Sequence, residues 1–105
     1  MSPTQRSLAK LKADGYRAQV VEKWNPWSRT RKDLFDIVDI LAMKEGSPLL
    51  AIQCTTTANL SARIAKAPES VRVWLSTGNE LEFWGWKKQG PRGKRKVWTL
   101  TRRHA

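Results

Sequence analysis

Two nearly unbroken apolar runs, LFDIVDILAM over Leu34–Met43 and LLAIQCT over Leu49–Thr55, are separated only by Lys44-Glu45-Gly46-Ser47-Pro48. Side chains alternate across a strand, so a run that is apolar at both parities needs cover on both faces. The linker has the length and the glycine and proline content of a hairpin loop. The sequence therefore predicts a central antiparallel pair with helices on both sides, which is an α/β arrangement.

The flanking segments supply the cover. Ser2-Pro3-Thr4-Gln5 reads as a helix start, with serine as the cap, proline at the first helical position and Gln5 completing a capping box. Leu8 and Leu11 give this helix an apolar stripe, and Gly15 stops it. YRAQVVEKW, Tyr16–Trp24, reads as a strand broken by Asn25-Pro26, and Ser28–Lys32 reads as a basic loop. Residues 59–67 and 69–76 read as helical, interrupted by Pro68. Glu80–Trp86 and Lys96–Thr101 read as two further strands. The predicted order is α-β-β-β-α-β-β, a single domain over residues 1–105 with a central mixed sheet, an extra C-terminal strand and a right-handed crossover through the second helix.

Charge narrows the class of partner. The net charge is +11 over 105 residues. Lys87–Ala105 carries eight basic residues and no acid, and the remainder carries only +3. A basic segment this dense favours a polyanion, and nucleic acid is the commonest one in a cytoplasm. Gly90, Pro91 and Gly93 argue against an amphipathic basic helix lying on a membrane. An apolar content of 40% excludes a disordered chain. The lone Cys54 excludes an internal disulfide and a cysteine zinc cluster, and reads as a buried thiol. No run is long enough to cross a membrane as a helix, and the expected location is the cytoplasm.

An acid inside an apolar strand is costly unless it is paired. Asp39 is such an acid. The hairpin places it near Gln53 on the next strand, where converging oxygens suit Mg²⁺ or Mn²⁺. Asp33 reads as a loop or cap residue.

VDILAMKEGSPLLAIQCTT resembles the core of the PD-(D/E)XK nuclease superfamily, a hairpin with an aspartate on its first strand and a (D/E)-x-K triplet on its second. Asp39 matches the aspartate, Gln53 falls on the acidic position, and Thr55 falls on the lysine position. The order of elements also resembles that superfamily, including Holliday-junction resolvases, and the whole chain is similar to small phage and prophage proteins of this kind. The resemblance implies a restriction-endonuclease-like fold, Mg²⁺ or Mn²⁺ as cofactor, and hydrolysis of DNA phosphodiesters, on branched or junction DNA for the resolvase branch. It implies a homodimer, and a bacterial host cytoplasm if the gene is phage-borne. Asp39 and Gln53 become metal ligands, with Glu22 or Asp36 supplying a further carboxylate. Lys66 or Arg63 on the second helix, or Lys23, takes the charge role that Thr55 leaves vacant. The rival reading is a DNA-binding protein on this fold without catalysis, or a nucleic-acid-binding module unrelated to nucleases.

Six tryptophans are a high count for this length. Trp84 and Trp86 share a strand face with Glu82 and read as core, as does Trp74 on its helix. Trp27 stands beside Arg29, Arg31 and Lys32, and aromatics interleaved with cations stack on unpaired bases while the cations hold phosphates. The expected DNA contacts are these four residues, Arg63, and the C-terminal cluster Lys87, Lys88, Arg92, Lys94, Arg95 and Lys96.

Overall fold

Ser2 and Gly15 delimit the first helix, α1 (Pro3–Ala13). The Ser2 hydroxyl accepts the Gln5 N–H at 3.2 Å. Gly15 sits at φ 90°, which lets the Tyr16 N–H reach the Leu11 carbonyl and the Gly15 N–H reach that of Lys12. These paired bonds close a helix at a left-handed residue. The structure is a computed structural model and describes residues 1–105.

The strands are β1 (Arg17–Val20), β2 (Lys23–Asn25), β3 (Thr30–Lys32), β4 (Ile40–Met43), β5 (Leu50–Thr56), β6 (Glu80–Gln89) and β7 (Val97–His104). Five of them form a mixed sheet in the order β1-β4-β5-β6-β7, and β2 and β3 pair separately. β5 and β6 run parallel, joined through helices α2 (Thr57–Ala65) and α3 (Ser70–Ser76), and every other neighbour is antiparallel.

The central strands are covered on both faces. Leu50, Ile52 and Cys54 of β5 pack with Leu11, Trp84 and Trp86 beneath α1. Ala51 packs with Leu60, Leu81 and Phe83 beneath α2 and α3. Gly85 marks the closest approach of α2 to the sheet: a Cβ there would stand 3.0 Å from the Thr57 Cα and 3.2 Å from Leu60. The backbone of α2 cannot give way locally, so the glycine in ELEFWGW is a spacing requirement.

Four expectations need correction. Tyr16–Trp24 is not one strand: its pairing with β4 ends at Val20, and Lys23–Asn25 joins the second sheet. SRTRK is not a loop throughout, because Thr30–Lys32 is β3 and closes a hairpin on β2. Asn25 Oδ1 caps the hairpin turn by accepting the Trp27 N–H at 3.0 Å and the Ser28 N–H at 3.4 Å, the usual use of asparagine at a turn. Leu34–Met43 is not one strand either. Leu34–Val38 folds back on itself, with Phe35 at φ 55° and Asp36 at φ 61°, and only Ile40–Met43 extends along β5. Finally, β6 and β7 outrun the strands expected of them, to Gln89 and His104. No helix is long and apolar enough to cross a membrane.

Trp84 and Trp86 are core, and the Trp86 indole donates to the Ser7 hydroxyl at 2.8 Å. Trp74 is partly buried and donates to the Glu80 carbonyl at 2.8 Å. Trp24, Trp27 and Trp98 are exposed.

Candidate metal centre

The register of the small hairpin builds the site. Lys23 pairs with Lys32, so the next residues outward, Glu22 and Asp33, face one another at its base. The tight turn Leu34–Ile37 follows, with the Ile37 and Val38 N–H groups both donating to the Leu34 carbonyl. It returns the chain so that Asp39 enters the sheet beside them. The Val21 N–H donates to the Asp39 carbonyl at 2.9 Å, locking the exit of β1 to the entry of β4. Carboxylate oxygens of Glu22, Asp33 and Asp39 lie within 4.8 Å of one another.

Asp39 is 4% exposed. One of its carboxylate oxygens, Oδ2, accepts the Cys54 N–H at 2.9 Å and stands 3.6 Å from the Cys54 thiol. The side chain thus extends the β4–β5 ladder where the backbone leaves it. Burial pushes the carboxyl up to about 7, a hydrogen bond with Asp33 and the charges of Asp33 and Glu22 add to the rise, and the Cys54 N–H opposes it. Burial, followed by the Asp39 charge, pushes the Cys54 thiol up to about 12, so it is not a nucleophile at neutral pH. Glu22 is paired with Arg31 at 3.2 Å. Three oxygens from three chain segments form a hard-donor set suited to a divalent cation of the Mg²⁺ or Mn²⁺ type.

The expected site residues divide accordingly. Glu22 and Asp39 come together. Asp36 does not join them, because the left-handed turn at Phe35 and Asp36 swings it into solvent, and Asp33 takes its place. Gln53 is buried on β5, one residue past the last β4–β5 rung, Ile40–Ile52, whereas the Asp39 carboxylate accepts the Cys54 N–H. Strand alternation puts the Gln53 side chain with Ala51 and Thr55 on the α2 face, opposite Cys54. Thr55 is also buried. Lys66 is the exposed C-cap of α2, about 14 Å along the helix axis from Thr57 at 1.5 Å per residue. Arg63 is exposed in the last turn of the same helix. Lys23 and Lys32 are the cations nearest in sequence to Glu22 and Asp33, one residue from each.

Two basic arms flank the cluster. β1, β5 and β6 all run toward the same end of the sheet, the end where ligands collect in open α/β folds. The β2–β3 hairpin leaves from β1 there, carrying Lys23, Arg29, Arg31 and Lys32, all exposed. The last rung between β5 and β6 is Thr56–Trp86. Beyond it Lys87–Gln89 pair only with β7, so a two-stranded ribbon runs on for about 10 Å at 3.3 Å per residue before its tip. Lys87, Lys88, Arg92, Lys94, Arg95 and Lys96 on this ribbon are all exposed. Arg6 of α1 stacks over Trp98 at 3.7 Å and braces the ribbon's root. The roots of the two arms are three strand positions apart, about 15 Å at the usual strand spacing, with Asp39 at the entry to β4 between them. Comparison of the chain with protein-family models, curated proteins and solved structures returned no match.

Proposed function

We propose that the protein is a metal-dependent endonuclease-like protein that holds DNA between its two basic arms and hydrolyses a phosphodiester at Glu22, Asp33 and Asp39. The observation that carries this reading is the convergence of those three carboxylates at the one sheet end from which both arms project. A divalent cation bound there supplies a polarised water and neutralises charge on the phosphate. Asp39, anchored by the Cys54 N–H, and Asp33 orient the cation. Glu22, tethered to Arg31, completes the set from the hairpin. Lys23 and Lys32 stand at the hairpin base, where a cation stabilises the charge that develops on the phosphate oxygens. Lys94, Arg95, Lys96 and their neighbours hold the flanking phosphates and fix the register of the duplex.

The test is cleavage of supercoiled and four-way-junction DNA in Mn²⁺, with calorimetry of Mn²⁺ binding. Wild type is expected to bind the ion and cut. Asp39→Asn and Asp33→Asn are expected to weaken ion binding and lower the cleavage rate at least about 100-fold, the usual scale for losing an essential electrostatic group. Cleavage by Asp39→Asn at the wild-type rate would remove the site from consideration. A second reading, DNA binding without hydrolysis, is favoured by Thr55, a residue without charge at the position where the resemblance expects lysine. It stands if wild type binds ion and DNA and cuts neither substrate.

DNA binding itself has a separate signature. Changing Lys94, Arg95 and Lys96 to glutamine should weaken binding to all sequences alike. It should also flatten the plot of log affinity against log salt by about three, close to one per lost phosphate contact. An unchanged slope would make the ribbon tip a solvated surface.

A further inference from the structure

The hairpin arm carries a second feature that phosphate contacts do not use. Trp24, Pro26, Trp27 and Phe35 line a groove of about 550 Å³ between the hairpin and the Leu34–Ile37 turn. Trp27 is 94% exposed, Trp24 53% and Phe35 63%. Isolated exposed apolar residues are ordinary, but three large aromatics on one groove are a recognition surface. Lys23 and Lys32 lie on the same groove, and so does Asp33, which belongs also to the carboxylate cluster. The groove and the cluster are therefore adjoining parts of one surface. The turn is held in place from the other side, because the Ser70 hydroxyl donates to the Phe35 carbonyl at 2.9 Å.

The chemistry selects the occupant. Residues 23–32 carry four cations and no acid, so a polyanion is attracted, whereas a second copy of this chain, at net charge +11, is repelled. Exposed indoles between cations bind unpaired bases: the ring takes the base face and the cation its phosphate. A base inside a duplex offers no free face. The volume lies in the range of pockets for small organic ligands, about 300–1,000 Å³.

We propose that this groove holds an unpaired nucleotide of DNA, its base stacked on Trp27 and Trp24 and its phosphate on Lys23 and Lys32, directly beside the carboxylate cluster. This rests on the nucleic-acid part of the function proposed above and deepens it. The preferred substrate is DNA in which a single strand leaves a duplex, with the duplex on the β6–β7 ribbon and the unpaired strand on the hairpin.

The test measures binding only, in EDTA, so that failure of the metal site does not affect it. Fluorescently labelled DNA is titrated as a 12-nucleotide single strand, as the matched duplex, and as the duplex with a single-stranded overhang. Trp27→Ala and Trp24→Ala are each expected to weaken single-strand and overhang binding about tenfold, within the range for losing one stacked base, and to leave duplex binding within twofold. Because Trp27 is almost wholly in solvent, its removal should leave the thermal midpoint unchanged. One abasic position placed along the overhang should reproduce the loss in wild type and add nothing in Trp27→Ala. Equal losses on duplex and single strand, no loss on either, or a loss of self-association in Trp27→Ala with DNA affinity intact would each overturn the proposal. In all three cases Mn²⁺ binding and cleavage, measured separately, continue to report on the carboxylate cluster.

Discussion

Trp84→Ala is expected to destabilise the protein by roughly 3–5 kcal/mol, the usual range for emptying an aromatic site in a core. The side chain is 0% exposed and packs with Leu11, Ile52 and Cys54, so it joins α1 to the two central strands. Its indole N–H donates to Glu82 Oε1 at 3.1 Å, and Arg102 Nε donates to the same oxygen at 2.9 Å while its guanidinium lies 5.0 Å from the ring. The hydrogen bond that Arg102 donates to Glu82 raises the guanidinium further above its ordinary range and holds it charged. Alanine therefore leaves a cavity and removes one of the two donors from a buried carboxylate. Small domains have about 5–15 kcal/mol in total, so a large share of the stability disappears, and the thermal midpoint falls by roughly 15–30 °C for a domain of this size. Urea denaturation gives the number directly. A midpoint equal to that of wild type would mean that Trp84 does not bridge α1 and the sheet.

Trp84 is also a residue whose role is readable from the sequence, for the same reason that the sheet is. ELEFWGW alternates so that Glu82, Trp84 and Trp86 share one parity and Leu81, Phe83 and Gly85 the other, and the structure puts the two sets under different helices. Wherever burial drives an element, its residues announce it: the central β4–β5 pair, the capped and glycine-stopped α1, and the break at Pro68 between α2 and α3 all follow. The β2–β3 hairpin is exposed on both faces, so it has no apolar alternation to read, and only the Asn25 turn marks it. The Leu34–Ile37 turn is harder still. Left-handed positions in tight hairpin turns favour asparagine, aspartate and glycine, and here the first of them is Phe35, in the middle of what reads as a strand. That one turn decides which acid accompanies Asp39. A continuous strand would bring Asp36 within three residues on the same element, whereas the folded-back chain turns Asp36 out and brings Asp33 in. The positive charge at 87–96 is plain in the sequence, but its projection as an arm is not, because it depends on β6 outrunning β5.

The remaining prediction concerns Asp39 without metal. Its carboxyl is held at about 7 in the folded protein, against an ordinary value near 4 in an unfolded chain. Below about pH 4 both states are protonated and the acid has no effect on stability. Between about pH 4 and 7 the unfolded chain releases its proton and the native state keeps it, so stability falls as pH rises. Above about pH 7 the loss is complete and constant, at most about 4 kcal/mol by linkage. Asp39→Asn removes the ionisation and keeps an oxygen to accept the Cys54 N–H. The variant should therefore match wild type near pH 4 and exceed it by up to about 4 kcal/mol at pH 8, measured by urea denaturation in EDTA. Adding Mn²⁺ at pH 8 should narrow the gap by stabilising wild type more than the variant, wild type by about 2.7 kcal/mol at one hundred times its dissociation constant. At pH 5 the ion must first displace a proton, and the same concentration should do much less. Wild-type and Asp39→Asn stabilities that run parallel from pH 4 to 8 would show that the buried carboxyl ionises as freely in the fold as in water. The carboxylate cluster would then lack the penalty that a bound cation is expected to relieve.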